Sequence, residues 1–221
     1  MAIQEAGVSR KLHLAHGWEL QFPEGTSVPL VREYIRPVVR AVPSLMARQI
    51  GFCRISLAIF LGSSNEVSSW SLGEREVEIS IASGDRDAHD VAMELLICLG
   101  QALWEKLISE QLRAYWLLLD SEFLAGVKGE IDEDALKEKQ ALLGGHLSAT
   151  SDRRLKRYGR ASFAGTAAEY VHCLWHDVEV VRGPEHLPAQ QLRRRLELLR
   201  SWFPPDRGHN LYPLRRRGSA V

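Results

Sequence analysis

The densest apolar stretch of the chain runs from Asp87 to Ile108, DAHDVAMELLICLGQALWEKLI, and reads as one long helix. Asp87 can serve as its N-cap, and Asp90 places a negative charge on the positive end of the helix dipole. Leu95-Leu96-Ile97-Cys98-Leu99 carries no charged side chain, so the helix is expected to be buried on most faces. Gly100 stands out, because a glycine in a helix interior costs up to ~1 kcal/mol against alanine.

Upstream, the polar and apolar positions change period. WELQF at 18–22 alternates and reads as a short strand, after a mixed stretch from Gln4 to Gly17. Val28 to Ile50 carries apolar residues at helical spacing, interrupted by Pro37 and Pro43, which predict a kink or a break. Phe52 to Leu61 is β-branched, aromatic and flanked by glycines, as a buried strand would be. A second strand is expected over Val67–Leu72. EVEISIA at 76–82 alternates strictly and reads as a half-exposed strand at an edge.

Downstream the periodicity is helical. Helices are expected over Glu110–Leu124, Ile131–Leu143, Ser162–Val180 and Leu187–Trp202, with a basic loop over Gly144–Arg160 and an irregular tail from Phe203. There is no internal repeat and no low-complexity segment.

Composition narrows the picture. A chain of 221 residues that is 45% hydrophobic and 25% charged fits one globular domain over 1–221, with residues 1–17 and 204–221 loosely held. Lys plus Arg equals Asp plus Glu at 28 each, so no global field favours nucleic acid. Cys53, Cys98 and Cys173 are odd in number and far apart, which points to free thiols in a reducing compartment. No signal segment and no apolar run of membrane-spanning length is visible, so a cytoplasmic protein without membrane contact is expected.

The run Leu95-Leu96-Ile97-Cys98-Leu99-Gly100-Gln101-Ala102-Leu103-Trp104 resembles the active-site helix of zincin metallopeptidases, L-L-H-E-L-G-H-A-L-W. Ala161-Ser162-Phe163-Ala164-Gly165-Thr166-Ala167 resembles the later glutamate-zincin motif, E-x-F-A-E-x-F/A. The resemblance spans roughly residues 50–205. It implies an α+β fold: a minimal zincin-like domain with a small mixed sheet packed on the long central helix, then a helical C-terminal half. In that frame Ile97 and Gln101 fall on the two zinc histidines, Cys98 on the general-base glutamate, Ala161 on the glutamate that is the third ligand and Gly165 on the glutamate that supports a zinc histidine. Side chains at i and i+4 share a helix face, but Ile97 and Gln101 cannot bind zinc there. The resemblance thus implies a pseudoenzyme with no catalytic residue, no metal and no cofactor, retained for binding or interaction; its partner is not named by the sequence, and a protein is one candidate.

Two other readings stay open. His172 and His176 lie at i and i+4 with Cys173 and Asp177 beside them, so Cys98, His172 and His176 could form a rebuilt metal site or an enzyme site. Nine arginines against three acids from Arg182 onward, with Arg153, Arg154, Lys156, Arg157 and Arg160, could form a basic binding face. A solvated face, or pairing with the acidic stretch 130–138, is the plainer expectation. Glu94, Gln101 and Glu105 form a polar seam on the central helix that lines a remnant pocket or faces solvent.

Overall fold

Five strands form one mixed sheet, ordered β1-β2-β3-β5-β4, and a long helix lies across it. The structure is a computed structural model that describes residues 9–62, 66–74, 76–144, 151–176 and 185–211. The fold is α+β with a helical C-terminal half. β1 (Ser9–His13) pairs antiparallel with β2 (Glu19–Pro23); β2, β3 (Phe52–Ala58) and β5 (Glu76–Ala82) run parallel; β4 (Ser68–Leu72) closes the far edge antiparallel to β5.

β5 is therefore an interior strand, not the edge its alternation suggested. Val77, Ile79 and Ile81 are buried, while Glu76 and Glu78 stand on the other face and accept from Arg54 Nη1 of β3 at 3.0 and 3.3 Å. A sheet packed on one side only gives the same alternation as an exposed edge. β1 also departs from expectation. SRKLH has no apolar alternation, yet residues 9–13 are held by ladder pairing to β2.

The proline-interrupted segment keeps its helical path through Pro37. A π-helical turn, Leu30–Ile35, runs into α1 (Arg36–Ala41), where Pro37 occupies the first turn and needs no amide partner. The break comes at Val42, held extended before Pro43, and α2 (Ser44–Ile50) follows.

The central helix, α3, spans Ala88–Trp104, and Asp87 caps it by accepting from the His89 amide at 2.8 Å. It ends four residues before Ile108 because Ile108 turns extended to start α4 (Ser109–Leu124), where the Gln111 side chain accepts from its amide. α5 (Glu133–Leu143) begins at the Asp132 cap. α6 (Ser151–Trp175) starts nine residues before the expected loop ends, so the basic run from Arg153 is helical; residues 177–180 lie outside those described. Gly159 there lies flat against the Trp116 ring, and Tyr158 is fully buried. α7 (Ala189–Trp202) completes the order. Among the described residues no helix is long and apolar enough to cross a membrane.

α3 is buried between the sheet and α6, which explains its nearly uniform apolar core. It also explains Gly100. A Cβ there would lie 2.7 Å from the Ala164 carbonyl oxygen and 2.8 Å from its Cα, both rigid backbone atoms of α6. The glycine lets the two helices touch. Gly100→Ala therefore sets a gain of up to ~1 kcal/mol in helix propensity against an overpacking cost of ~1–3 kcal/mol. The expected result is net destabilisation in urea unfolding; an alanine variant as stable as the parent would mean the helices are not in contact here.

Candidate functional site

The α3–α6 contact opens beside Gly100 into a cavity of about 240 Å³. Glu94, Ile97 and Gln101 reach it from α3, Ala161 and Ala164 from α6, and Asp132, Glu133 and Asp134 from the start of α5. The α3 residues follow i, i+3 and i+7, one stripe of the helix. Three positions singled out from the sequence, Ile97, Gln101 and Ala161, thus meet at one cavity, and the polar seam at Glu94 and Gln101 lines it. Glu105, the third seam residue, instead pairs with Arg160 at 3.5 Å. Arg160 also lies over the Trp70 ring of β4 at 5.2 Å.

The other two positions do not open onto the cavity. Cys98 is buried against the sheet near Cys53 and Ser68, and burial first, with Glu94 adding, pushes its thiol up to about 11. No thiolate nucleophile is available there at neutral pH. Gly165 faces Asp132 so closely that a Cβ would collide with Asp132 Oδ2. A side chain at position 165 would have to displace the Asp132 carboxylate.

The cavity is acidic, with four carboxylates and no lining cation. Ser68 donates to Glu94 Oε1 at 2.6 Å, tying β4 to α3. Asp132 Oδ1 accepts from the Ala135 amide at 2.9 Å, while the buried Oδ2 has no hydrogen-bond partner. Burial, with the charges of Glu130 and Asp134 adding, raises Asp132 to about 6. Such a pocket can accept a cationic or N–H-bearing group. Ile97, Gln101 and Ala161 do not form a zinc ligand set, because Ile97 and Ala161 carry no donor atom and Gln101 carries only a neutral amide.

His172 and His176 meet a different partner from the one expected. His172 Nε2 lies 3.1 Å from His89 Nε2 at the start of α3, and His172 Nδ1 lies 3.3 Å from Glu169 Oε2. Cys98 is nine residues beyond His89, hence on the opposite side of α3 and about 13 Å along it. Cys173 shares Glu169, and burial first, then that carboxylate, pushes its thiol up to about 12. Asp177 lies outside the described residues.

Among the described residues, most of the basic positions find partners within the chain. Arg157 pairs with Glu138 at 3.5 Å, Arg194 donates to Ser121, and Arg200 pairs with Glu197. Arg195 is fully buried. Its guanidinium donates to both oxygens of Glu122 and both of Glu130, at 2.6–3.2 Å. Lys139 Nζ and the Tyr158 hydroxyl donate to Glu130 Oε1 at 2.9 and 2.6 Å. The sequence pointed to a solvated face or to pairing with the acidic stretch 130–138; Arg195 does pair with Glu130 of that stretch, but out of solvent, on the same side of α7 as Leu192, Leu196 and Leu199. Glu122 sits seven residues after buried Tyr115, on the inner face of α4. Those helical spacings were the available signal.

Among known proteins, no family model, curated sequence or solved structure matches this chain.

The state of Asp132 is directly measurable. Its folded pKa of about 6 lies above its ordinary 3.8, so folding favours the protonated acid. Asp132 therefore costs stability as pH rises through that window, with the full cost present above about 6. Asn caps a helix as well as Asp does. Asp132→Asn is expected to stabilise the protein by on the order of 1–2 kcal/mol at pH 7 and by almost nothing near pH 4. Urea midpoints at the two pH values check this; an equal effect at both would contradict it.

Proposed function

We propose that this chain is a catalytically inactive, zincin-like protein whose α3–α6 cleft has been kept for binding after loss of the metal ligands. The observation that carries the reading is the meeting of Ile97, Gln101 and Ala161 at one cavity, since in a zincin those three places must reach one metal. The mixed sheet packed on α3, with α6 alongside, supports the same reading. So does the chemistry of the residues present. None of the three positions supplies an imidazole or a carboxylate, and Cys98 holds its proton against the sheet. Without a metal, a bound water keeps a pKa near that of bulk water, and no hydroxide forms at neutral pH.

The acidic rim sets the class of ligand. Glu94, Asp132, Glu133 and Asp134 around a small apolar floor favour a basic side chain or amine presented by a protein partner.

The test is restoration of the ligand set. The combined variant Ile97→His, Gln101→His, Ala161→Glu offers two nitrogens at i and i+4 and a carboxylate from α6. Ile97 is only partly buried, so a new imidazole can keep one nitrogen near water. Zinc bound to the folded state raises its stability in proportion to affinity. The variant is expected to bind one zinc and to show a zinc-dependent rise in melting temperature, with little peptide hydrolysis. A folded variant that shows neither bound zinc nor a rise would remove the zincin reading.

A further inference from the structure

At the far end of the α3–α6 pair, away from the acidic cleft, three imidazoles face one another. His89 comes from the first turn of α3; His172 and His176 come from the last turn of α6 and the residue after it. All three rest against Trp175: the His176 ring centroid is 3.8 Å from it, His89 stacks on it at 5.9 Å, and His172 is 6.1 Å away. Glu169 sits one turn before His172.

The hydrogen bonds fix the tautomers. The Glu169 carboxylate can only accept, so His172 Nδ1 carries the hydrogen and donates to it. In the neutral ring that a metal ligand requires, His172 Nε2 is then a lone pair, 3.1 Å from His89 Nε2 and able to accept its hydrogen. A carboxylate that fixes one ring nitrogen and leaves the other as a lone pair is the usual support for a metal-binding histidine.

The spacing also fits a metal. Two imidazoles on one tetrahedral zinc, with Zn–N of about 2.05 Å, hold their nitrogens about 3.3 Å apart and their ring centroids about 5 Å apart. Here the His89 and His172 nitrogens are 3.1 Å apart and their centroids 5.0 Å. The His176 centroid lies 6.0 Å from His172 and 6.2 Å from His89, within about 1 Å of the bound spacing. Among the described residues no three side chains already stand in full ligand geometry. His89 and His172 have the nitrogen separation of a bound pair, and the His176 ring stands beside both.

We infer that His89, His172 and His176 form a nitrogen-donor site for a divalent transition metal such as zinc, with Glu169 as the positioning residue. The metal would sit off the line joining the two Nε2 atoms, bound by both, and the hydrogen between them would be lost. His89 releases its Nε2 hydrogen to water and takes the Nδ1–H tautomer with a hydrogen from water, so the ring stays neutral. An all-imidazole set favours zinc, cobalt, nickel or copper over magnesium or calcium. Cys98 has no part in it, and the site does not depend on the reading of the cleft.

The experiment uses full-length, tag-free protein stripped of metal with a chelator and titrated calorimetrically with zinc chloride at neutral pH. The expected result is one zinc per chain at micromolar or tighter affinity. His89→Ala and His172→Ala each weaken binding at least roughly tenfold, Glu169→Gln weakens it by roughly tenfold, and Cys98→Ser leaves it unchanged. Imidazole NMR signals of the unaltered protein keep the test independent of variant folding: His89, His172 and His176 should shift on zinc addition while His13, His16 and His209 do not. Absence of saturable binding into the millimolar range would overturn the proposal. So would binding that survives both histidine changes, or zinc shifts confined to the other histidines.

Discussion

A guanidinium sealed from water is the constraint on which the C-terminal half depends. Arg195 is 0% exposed, and its charge survives there only because Glu122 and Glu130 meet it with four oxygens. Lys139 brings a second positive charge to Glu130, so the buried group is two cations against two carboxylates. Burial alone would raise Glu130; Arg195, Lys139 and the Tyr158 hydroxyl outweigh it and hold the acid at about 2. Its contribution to stability is present above the ordinary carboxylate pKa and is lost as pH falls toward 2. Removing one partner from such a group leaves an uncompensated buried charge, a cost of about 3–5 kcal/mol. Tyr115, Ser162 and Thr166 extend the network as a chain of hydroxyls, and Ser162 also accepts from Arg195.

This network sets the shape of the cleft. Glu130 is two residues before Asp132, and Asp132 opens α5 and forms the acidic rim. The backbone around Glu130 is tied on both sides: its amide donates to Glu185 and its carbonyl accepts from Leu187. Tyr158 and Ser162 fix the same region to α6, one turn from Ala161. The carboxylates over the cavity are thus positioned by charges buried behind them. The imidazole cluster lies at the other end of the same helix pair and is held by Trp175 and Glu169 instead. α3 therefore serves two regions with separate supports.

Much of this was legible in the residues. The cap at Asp87, the buried run 95–99 and the oddity of Gly100 follow from local rules, and each has its place in the fold. β5 was found with its bounds intact, but the interior position was not, because alternation reports which face is buried and says nothing about neighbours on either side. β1 was missed because pairing, not side-chain pattern, holds it. α6 was begun too late because a run of arginines and lysine looks like a loop unless Tyr158 is recognised as the inward residue. Ile97, Gln101 and Ala161 could be drawn together only through a motif. The His89–His172 contact joins residues 83 apart, which no local rule reaches.

Amide hydrogen exchange tests most directly whether the buried charges hold the rim over the cleft. Arg195→Met keeps the length of the side chain and removes its charge. The amides of Glu130, Ala135, Leu136 and Leu187 report on the rim, and those of β3 and β5 report on the sheet. Under conditions where both proteins remain folded, the rim amides are expected to lose protection in the variant while the strands keep theirs. Equal loss in both regions, or none at the rim, would contradict the dependence of the cleft on Arg195.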